Sequence, residues 1–211
     1  VVYSQEGRLL GARIAKDEQW RFPQTDSVPQ RFIDAITTFE DKRFYNHIGV
    51  DLLSVGRAIW QNIANNKISS GASTLTMQVI RLSRNGQART FSEKFIEMIL
   101  ATRLEWRYSK KEIINFYSSH APFGGNVVGL ESASWKYFGR PAYRLSIAET
   151  AVLAVLPNSP ALIHPNRNRD LLKKKRNHLL LKMLNEKLIS KDEYRLALLE
   201  HLPARPLSLP N

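Results

Sequence analysis

Two glutamates are placed where they could do acid–base chemistry. Glu40 closes an apolar helical stretch, with Ile33 and Ile36 seven and four residues before it, so all three share one helix face. A carboxylate at the rim of an apolar face is partly desolvated, which makes it a stronger base. Phe44 and His47 follow at i+4 and i+7, and Gly49 then breaks the helix. On spacing alone, a buried structural glutamate paired with Arg43 or His47 accounts for the pattern as well. Glu97 is in a second helix, with Leu100, Ala101 and Leu104 on its own side. A glutamate on an apolar stripe needs a partner, and Lys94, one turn earlier, is the local one. An ordinary structural ion pair is the plain alternative there.

A possible anion site is written between them. Ser73 or Thr74 opens a helix whose first N–H groups and dipole would favour a phosphate. Thr74, Gln78 and Arg81 then lie on one polar face, opposite Leu75, Val79 and Leu82. An amphipathic surface helix would look the same. Charge agrees with a polyanionic partner: 31 Lys and Arg against 19 Asp and Glu give a formal charge of +12. The segment from Arg81 to Lys111 holds eight basic residues and three Glu, and His164 to Arg195 holds ten and four, so these two segments carry most of the excess. The second reads as solvated helix faces. Cysteine is absent, which excludes disulfide scaffolds, thiolate metal sites and cysteine nucleophiles. Ordinary hydrophobic and charged fractions, 43% and 24%, exclude wholesale disorder.

The elements that must hold these residues are mainly helical. Val1–Tyr3 and Arg8–Ile14 read as two short strands around a turn at Gln5-Glu6-Gly7. Asp26 or Ser27, with Pro29, starts the helix that runs to Glu40. Asp51 opens another, with an apolar stripe at Leu52, Val55, Ile59 and Ile63, followed by a loop at Ser69-Ser70-Gly71-Ala72. Capping boxes stand at Thr90–Glu93, Ser146–Glu149 and Ser190–Glu193. Ala121 to Gly129 is a glycine-rich loop, and Pro157 and Pro160 end the helix before them. The organisation expected is a β-containing lead-in over 1–22, one domain over 23–200, and an extended, proline-bearing linker over 201–211 to a downstream domain. The longest strongly apolar run, Ile147 to Leu156, is far short of the ~20 residues that span a bilayer.

Several motifs fall in order along this frame. Glu40-Asp41-Lys42-Arg43-Phe44-Tyr45-Asn46-His47-Ile48-Gly49 resembles the E-D-x-x-F-x-x-H-x-G signature of the family 51 glycosyltransferases, the peptidoglycan polymerase domains of class A penicillin-binding proteins. Gly71-Ala72-Ser73-Thr74-Leu75-Thr76-Met77-Gln78 resembles their G-x-S-T-x-T-x-Q motif, and Lys94-Phe95-Ile96-Glu97 their K-x-x-E motif. Tyr108 to Ile114, Phe123-Gly124-Gly125, Tyr137-Phe138-Gly139 and Leu156-Pro157-Asn158-Ser159-Pro160 match further landmarks. Gly124-Gly125-Asn126 and the Trp20-Arg21 lead-in look most like the C subtype. The chain departs from the family at three places. Glu93 replaces the arginine of an Arg-Lys pair, with Arg89 or Arg103 as substitutes for the missing cation. In I-L-E-x-Y-L-N the chain has Ile113-Ile114-Asn115-Phe116-Tyr117-Ser118-Ser119, which removes a structural glutamate and an asparagine.

The resemblance implies a lysozyme-like, two-lobed helical fold and polymerisation of lipid II into β-1,4-linked glycan strands, with inversion and loss of undecaprenyl diphosphate. It implies Glu40 as the base and Glu97, with Lys94, as assistance to the leaving group. Asp41, Phe44, His47, Ser73, Thr74, Gln78, Arg81, Lys94 and Arg103 are implied to bind substrate. No tightly bound cofactor and no built metal site are expected, and a divalent cation, Mg or Mn, is left open. The partners implied are lipid II, the nascent glycan strand, an anionic membrane surface and a C-terminal transpeptidase domain, with no nucleic acid. The place implied is the outer, periplasmic face of the bacterial cytoplasmic membrane, the anchor lying outside this chain. Leu52, Leu53, Ile59 and Trp60 fall where the family's membrane-facing lobe should be, and equally read as core. A lysozyme-like cleaving enzyme and a non-enzymatic basic binding module are the competing readings.

Overall fold

A computed structural model of the chain describes residues 1–23, 27–65, 73–84, 90–158 and 168–210, the side chains of residues 59, 62–65 and 91 excepted. The expected cap at Asp26, the Ser69–Ala72 loop, Arg89, Ser159-Pro160 and the Ile59 and Ile63 side chains lie outside these. The described residues form short strands β1 (Val2–Tyr3), β2 (Leu9–Gly11), β3 (Trp20–Arg21) and β4 (Val127–Val128). Their helices are α1 (Gln30–Glu40), α2 (Leu52–Asn65), α3 (Leu75–Ser83), α4 (Phe91–Arg107), α5 (Lys110–His120), α6 (Leu130–Phe138), α7 (Ile147–Val155), α8 (Arg169–Asn185) and α9 (Lys191–Leu199). The protein is mainly α with a small N-terminal β element, as the sequence implies. It divides into two compact units, Val1–Phe39 with Ser118–Asn211, and Glu40–Tyr117.

The first unit is organised by α7. Every residue from Ala148 to Val155 is buried, so this helix is a core rod covered on all sides, with Glu149 near its start paired to Arg140. Helix α8 packs along it, and α9 packs on both. The Ser146 and Ser190 capping boxes form as read, each serine accepting the N3 amide and each N3 glutamate accepting back. β1 and β2 make the antiparallel hairpin, and β3 pairs in parallel with β4. Three features differ from the sequence reading. Helix α6 was hidden because Ser132, Ala133 and Ser134 are buried among the larger Leu130, Trp135 and Tyr137, which breaks up a clear hydrophobic period. Arg176, on a segment read as a solvated basic face, is wholly buried, donating through Nη1 to the Glu200 carbonyl at 2.6 Å. The proline-bearing tail lies against the unit: Leu209 packs with Ala12 and Trp135, and Ala12 N–H donates to the Pro210 carbonyl.

In the second unit, α3 packs on α4 through Met77, Ile80 and Ala101, with Met98, Leu100 and Leu104 around them. The chain between α1 and α2 is a 3-10 turn at Phe44–Asn46 and a bend, not the continued helix that i+4 and i+7 spacing suggests. Gly49 closes this bend with φ +91°, and a Cβ there would stand 2.6 Å from the Ala101 carbonyl carbon. Glycine is needed because the bend passes directly against the α4 backbone. Leu52, Leu53 and Trp60 are all more than two-thirds exposed, so they are surface and not core. Arg43 does not reach Glu40. It grips Asp51 through Nε and Nη2 at 2.7–3.0 Å.

Burial alone would raise the Asp51 carboxyl, but hydrogen bonds from Ser54 and the Arg43 guanidinium hold it down at about 2. A depressed carboxyl stabilises the fold above its unfolded value and loses that contribution as pH falls through the folded value. Between about pH 4 and pH 2 the chain should therefore lose on the order of 1–2 kcal/mol through this group. Asp51→Asn should remove that part of the acid dependence. Urea unfolding across this pH range checks it, and identical acid profiles for the two proteins would refute it.

Candidate active site

Helix α3 connects the two glutamates. Gln78 donates from Nε2 to Glu40 Oε2 at 2.9 Å. One turn on, Arg81 donates from Nε and Nη2 to the two oxygens of Glu97, both at 2.7 Å. Residues three apart on a helix stand about 5–6 Å from each other at Cβ, so α3 acts as a spacer between the carboxylates. Glu97 is buried on α4 and the Arg81 side chain is partly covered. The partner of Glu97 is thus Arg81, and the expected Lys94 pairing is corrected. A planar guanidinium matches both carboxylate oxygens at once, which an ammonium on the same helix cannot do. Glu97 in turn holds the Arg81 guanidinium charged, raising its already high pKa. The Arg81 Nη1 protons have no partner among the described residues. Lys94 is half-buried and makes no ion pair among them.

The N-terminus of α3 is occupied from within the protein, which corrects the expectation of a phosphate there. The Leu75 N–H donates to Asp41 Oδ2 at 3.0 Å and the Met77 N–H to Thr74 Oγ1 at 3.1 Å. Thr74, not Ser73, is the cap, and its hydroxyl donates to the Gly49 carbonyl at 2.6 Å. Thr74 and Leu75 are buried, leaving no surface for an external anion at those amides. Asp41 supplies the negative charge instead. Its oxygens also lie 3.1 Å from His47 Nε2. Asp41, His47 and Thr74 therefore fix the start of α3 against the bend, and through it the reach of Gln78 and Arg81.

A second charged group, with no direct signal in the sequence, supports this bend. Glu105 accepts from Thr76 Oγ1 at 2.5 Å and from Lys110 Nζ at 2.6 Å. Lys110 also donates to the His47 carbonyl at 2.6 Å and stands over the buried Phe44 ring, 4.4 Å from its centre. Phe44 is thus a packing residue at the foot of the site. Tyr117, also unflagged, is wholly buried; burial pushes its phenol well up, and the Glu40 charge adds to that. Its hydroxyl has no hydrogen-bond partner among the described residues.

The departures at α4 are partly explained. Thr90 caps α4 by accepting the Glu93 N–H, but the Glu93 carboxylate turns to Arg84 at 2.9 Å instead of completing the box. The position that has lost a cation carries an anion paired to Arg84, the residue that ends α3. Arg103 is exposed and lies about 160° around α4 from Ala101, so it does not join the group at Glu97. Asn115 is half-buried on α5. Among the described residues, no set of three or more His, Asp or Glu stands ready to hold a metal ion.

These features belong to a known class of protein. The profile of the transglycosylase family matches residues 6–184, so the chain is a member of that family, the one its motifs resemble. It is 37% identical over its whole length to penicillin-binding protein 1C of Escherichia coli K12, covering 27% of that protein. It is 36% identical over 204 residues to penicillin-binding protein 1A of Haemophilus influenzae, covering 96% of this chain and 24% of the relative. The crystal structure of the Haemophilus influenzae penicillin-binding protein 1A superposes with a TM-score of 0.52 at 26% identity, over 95% of this chain and 20% of that one. The chain thus spans about a quarter of the length of the curated relatives it matches.

Proposed function

We propose that this chain is a peptidoglycan glycosyltransferase that polymerises lipid II into β-1,4-linked glycan strands with inversion. Membership of the transglycosylase family supports the reaction class. The observation that carries the site assignment is the placement of Glu40 and Glu97 on Gln78 and Arg81, one turn apart on α3. Glu40 takes the proton of the acceptor 4-hydroxyl as that oxygen attacks the sugar carbon. Gln78 holds the orientation of its carboxylate. The undecaprenyl diphosphate departs from the opposite face of the sugar. Arg81, held by Glu97, and Lys94 provide positive charge for it, and electrostatic help of this kind matters more than proton donation for such a leaving group. No resident cofactor enters the proposal. A divalent cation, magnesium or manganese, would arrive with the diphosphate.

An inverting hydrolase would use the same two-carboxylate logic with water as the nucleophile. A paired arginine, and a lysine with no ion pair among the described residues, beside the second carboxylate suit a diphosphate better than a neutral leaving group. The reaction would take place at the outer face of the bacterial cytoplasmic membrane. No helix among the described residues is long and apolar enough to cross a bilayer. Exposed Tyr45, Ile48, Leu52, Leu53 and Trp60, with the +12 charge, suit contact with an anionic surface. The greater length of the relatives suits a transpeptidase domain beyond this one. Incubation with lipid II and electrophoresis of the products tests the proposal. Glycan ladders are expected, while shortened chains from preformed glycan would favour a cleaving enzyme.

A further inference from the structure

Nothing in the proposed reaction uses Ser118 and Ser119, which stand where the family pattern has leucine and asparagine. Both line a cavity of about 420 Å³ in the first unit. Its walls come from the β1–β2 hairpin, Phe22 and Pro23, Ser27 and Pro29, the end of α5, the start of α6 and Pro141–Tyr143. Tyr3, Phe22 and Tyr143 contribute aromatic rings, Tyr3 and Phe22 meeting edge to face at 6.5 Å. Among the described residues one carboxylate, Glu131, lines it, and no lysine, arginine or histidine does, in a chain of net charge +12.

Glu131 is held in place from behind. The Trp135 indole N–H donates to its Oε1 at 3.0 Å and the Ala142 N–H to its Oε2 at 3.1 Å. Burial pushes this carboxyl above its ordinary value, and the two hydrogen bonds oppose that. A cationic neighbour would favour its ionised form. Tyr3, whose phenol burial and the Glu131 charge push up to about 12, keeps its proton. Ser118 is 4% exposed, and its hydroxyl has no hydrogen-bond partner among the described residues. A buried hydroxyl without a partner is unfavourable, and a χ1 turn toward the cavity would let a guest satisfy it. Among the described residues the one charged side chain of the lining is a carboxylate, so a cationic guest is what complements it. Arg144 lies over the Tyr143 ring at 5.5 Å and is outside the lining.

We propose that this cavity binds a primary ammonium group on an apolar stem, with Glu131 as its counter-ion, Ser118 as a hydroxyl acceptor and the Tyr3, Phe22 and Tyr143 rings around the stem. Three donors of an ammonium then meet a carboxylate oxygen, a hydroxyl and an electron-rich ring face. The bulkier leucine of the family pattern at position 118 would take up part of the cavity, so the site is a property of this chain's own departures. It does not depend on the reaction assigned to Glu40 and Glu97.

The test uses the full 211-residue chain and two probes of equal length, cadaverine and its uncharged analogue 1,5-pentanediol. Calorimetry gives affinity, and the Trp135 indole resonance, identified by its loss in Trp135→Phe, reports the site through its bond to Glu131. Cadaverine should bind saturably and move that resonance, and pentanediol should do neither. Glu131→Gln and Ser118→Leu should each weaken cadaverine by at least about ten-fold. Because these two substitutions touch buried ground, Tyr143→Ala is the companion: Tyr143 is 66% exposed, so its loss should spare the fold. It should weaken binding by about five- to ten-fold. Equal binding of pentanediol, no saturable shift of the Trp135 resonance, or unchanged affinity in Tyr143→Ala would each overturn the proposal.

Discussion

Glu40→Gln should lower glycan synthesis by about 10²–10⁴-fold while leaving the fold and substrate affinity close to those of the parent chain. The amide keeps the shape of the carboxylate and an oxygen to accept from Gln78, which now bonds at 2.9 Å. What it loses is the ability to take the proton of the acceptor hydroxyl. The hydroxyl must then attack while still protonated, and the barrier rises by the share a positioned base supplies. Glu40 ends α1 without carrying its core contacts: Phe32, Ala35 and Ile36 bury that helix, and none depends on the charge. A separate effect should appear at Tyr117. The Glu40 charge helps hold that buried phenol in its neutral form, and a neutral glutamine removes this contribution. Circular dichroism should superpose on the parent, and rates measured on lipid II should fall by the stated factor. Added magnesium or manganese should not restore them, because the defect lies in proton removal and not in the charge of the diphosphate. Near-parental synthesis would sink the base assignment.

How much of this was legible in the sequence depends on whether the information was local. The helix around Glu97 and the capping boxes at Ser146 and Ser190 could be read because periodicity and capping act within one turn or two. The all-buried helix α7 showed as an apolar run ended by proline. Partners were not legible. The sequence pointed Glu97 to Lys94, its neighbour on the same helix, whereas the observed partner comes from α3, sixteen residues away in sequence. Asp41 illustrates the same limit. As one acid in a charged run it carries no sign that it will cap a helix thirty-four residues later. Once it does, the amides that seemed open to phosphate are closed. Buried serines and an alanine interleaved with Leu130, Trp135 and Tyr137 hid α6, because the mixture leaves too little hydrophobic contrast to show its period. The tail after α9 looked extended because proline dominates it, yet Leu209 buries against Ala12 and Trp135.

The Arg81–Glu97 pair yields the sharpest division between stability and turnover. Arg81→Met leaves a buried carboxylate without its cation, and breaking a buried pair from one side costs about 3–5 kcal/mol. Partial exposure of the arginine places the expected loss at the lower end, about 3 kcal/mol. Glu97→Gln should cost less, about 1–2 kcal/mol, because the guanidinium it abandons is nearer to water. Combining the two removes both charges, so the double variant should be more stable than Arg81→Met alone, with a coupling of at least about 1 kcal/mol. Activity should not follow this recovery. A departing diphosphate needs the positive charge at Arg81, whatever neutral groups now fill the space, so both Arg81→Met and the double variant should lose about 10²–10³-fold in turnover. Glu97→Gln keeps that charge but not its orientation, and its rate should respond to added magnesium or manganese where that of Glu40→Gln does not. Denaturant titrations and single-turnover rates on lipid II, measured on the same preparations, separate the two quantities. Strictly additive stabilities would remove the pair as an energetic unit. A double variant that regains both stability and turnover would show that the pair holds the fold together and takes no part in the departure of the diphosphate.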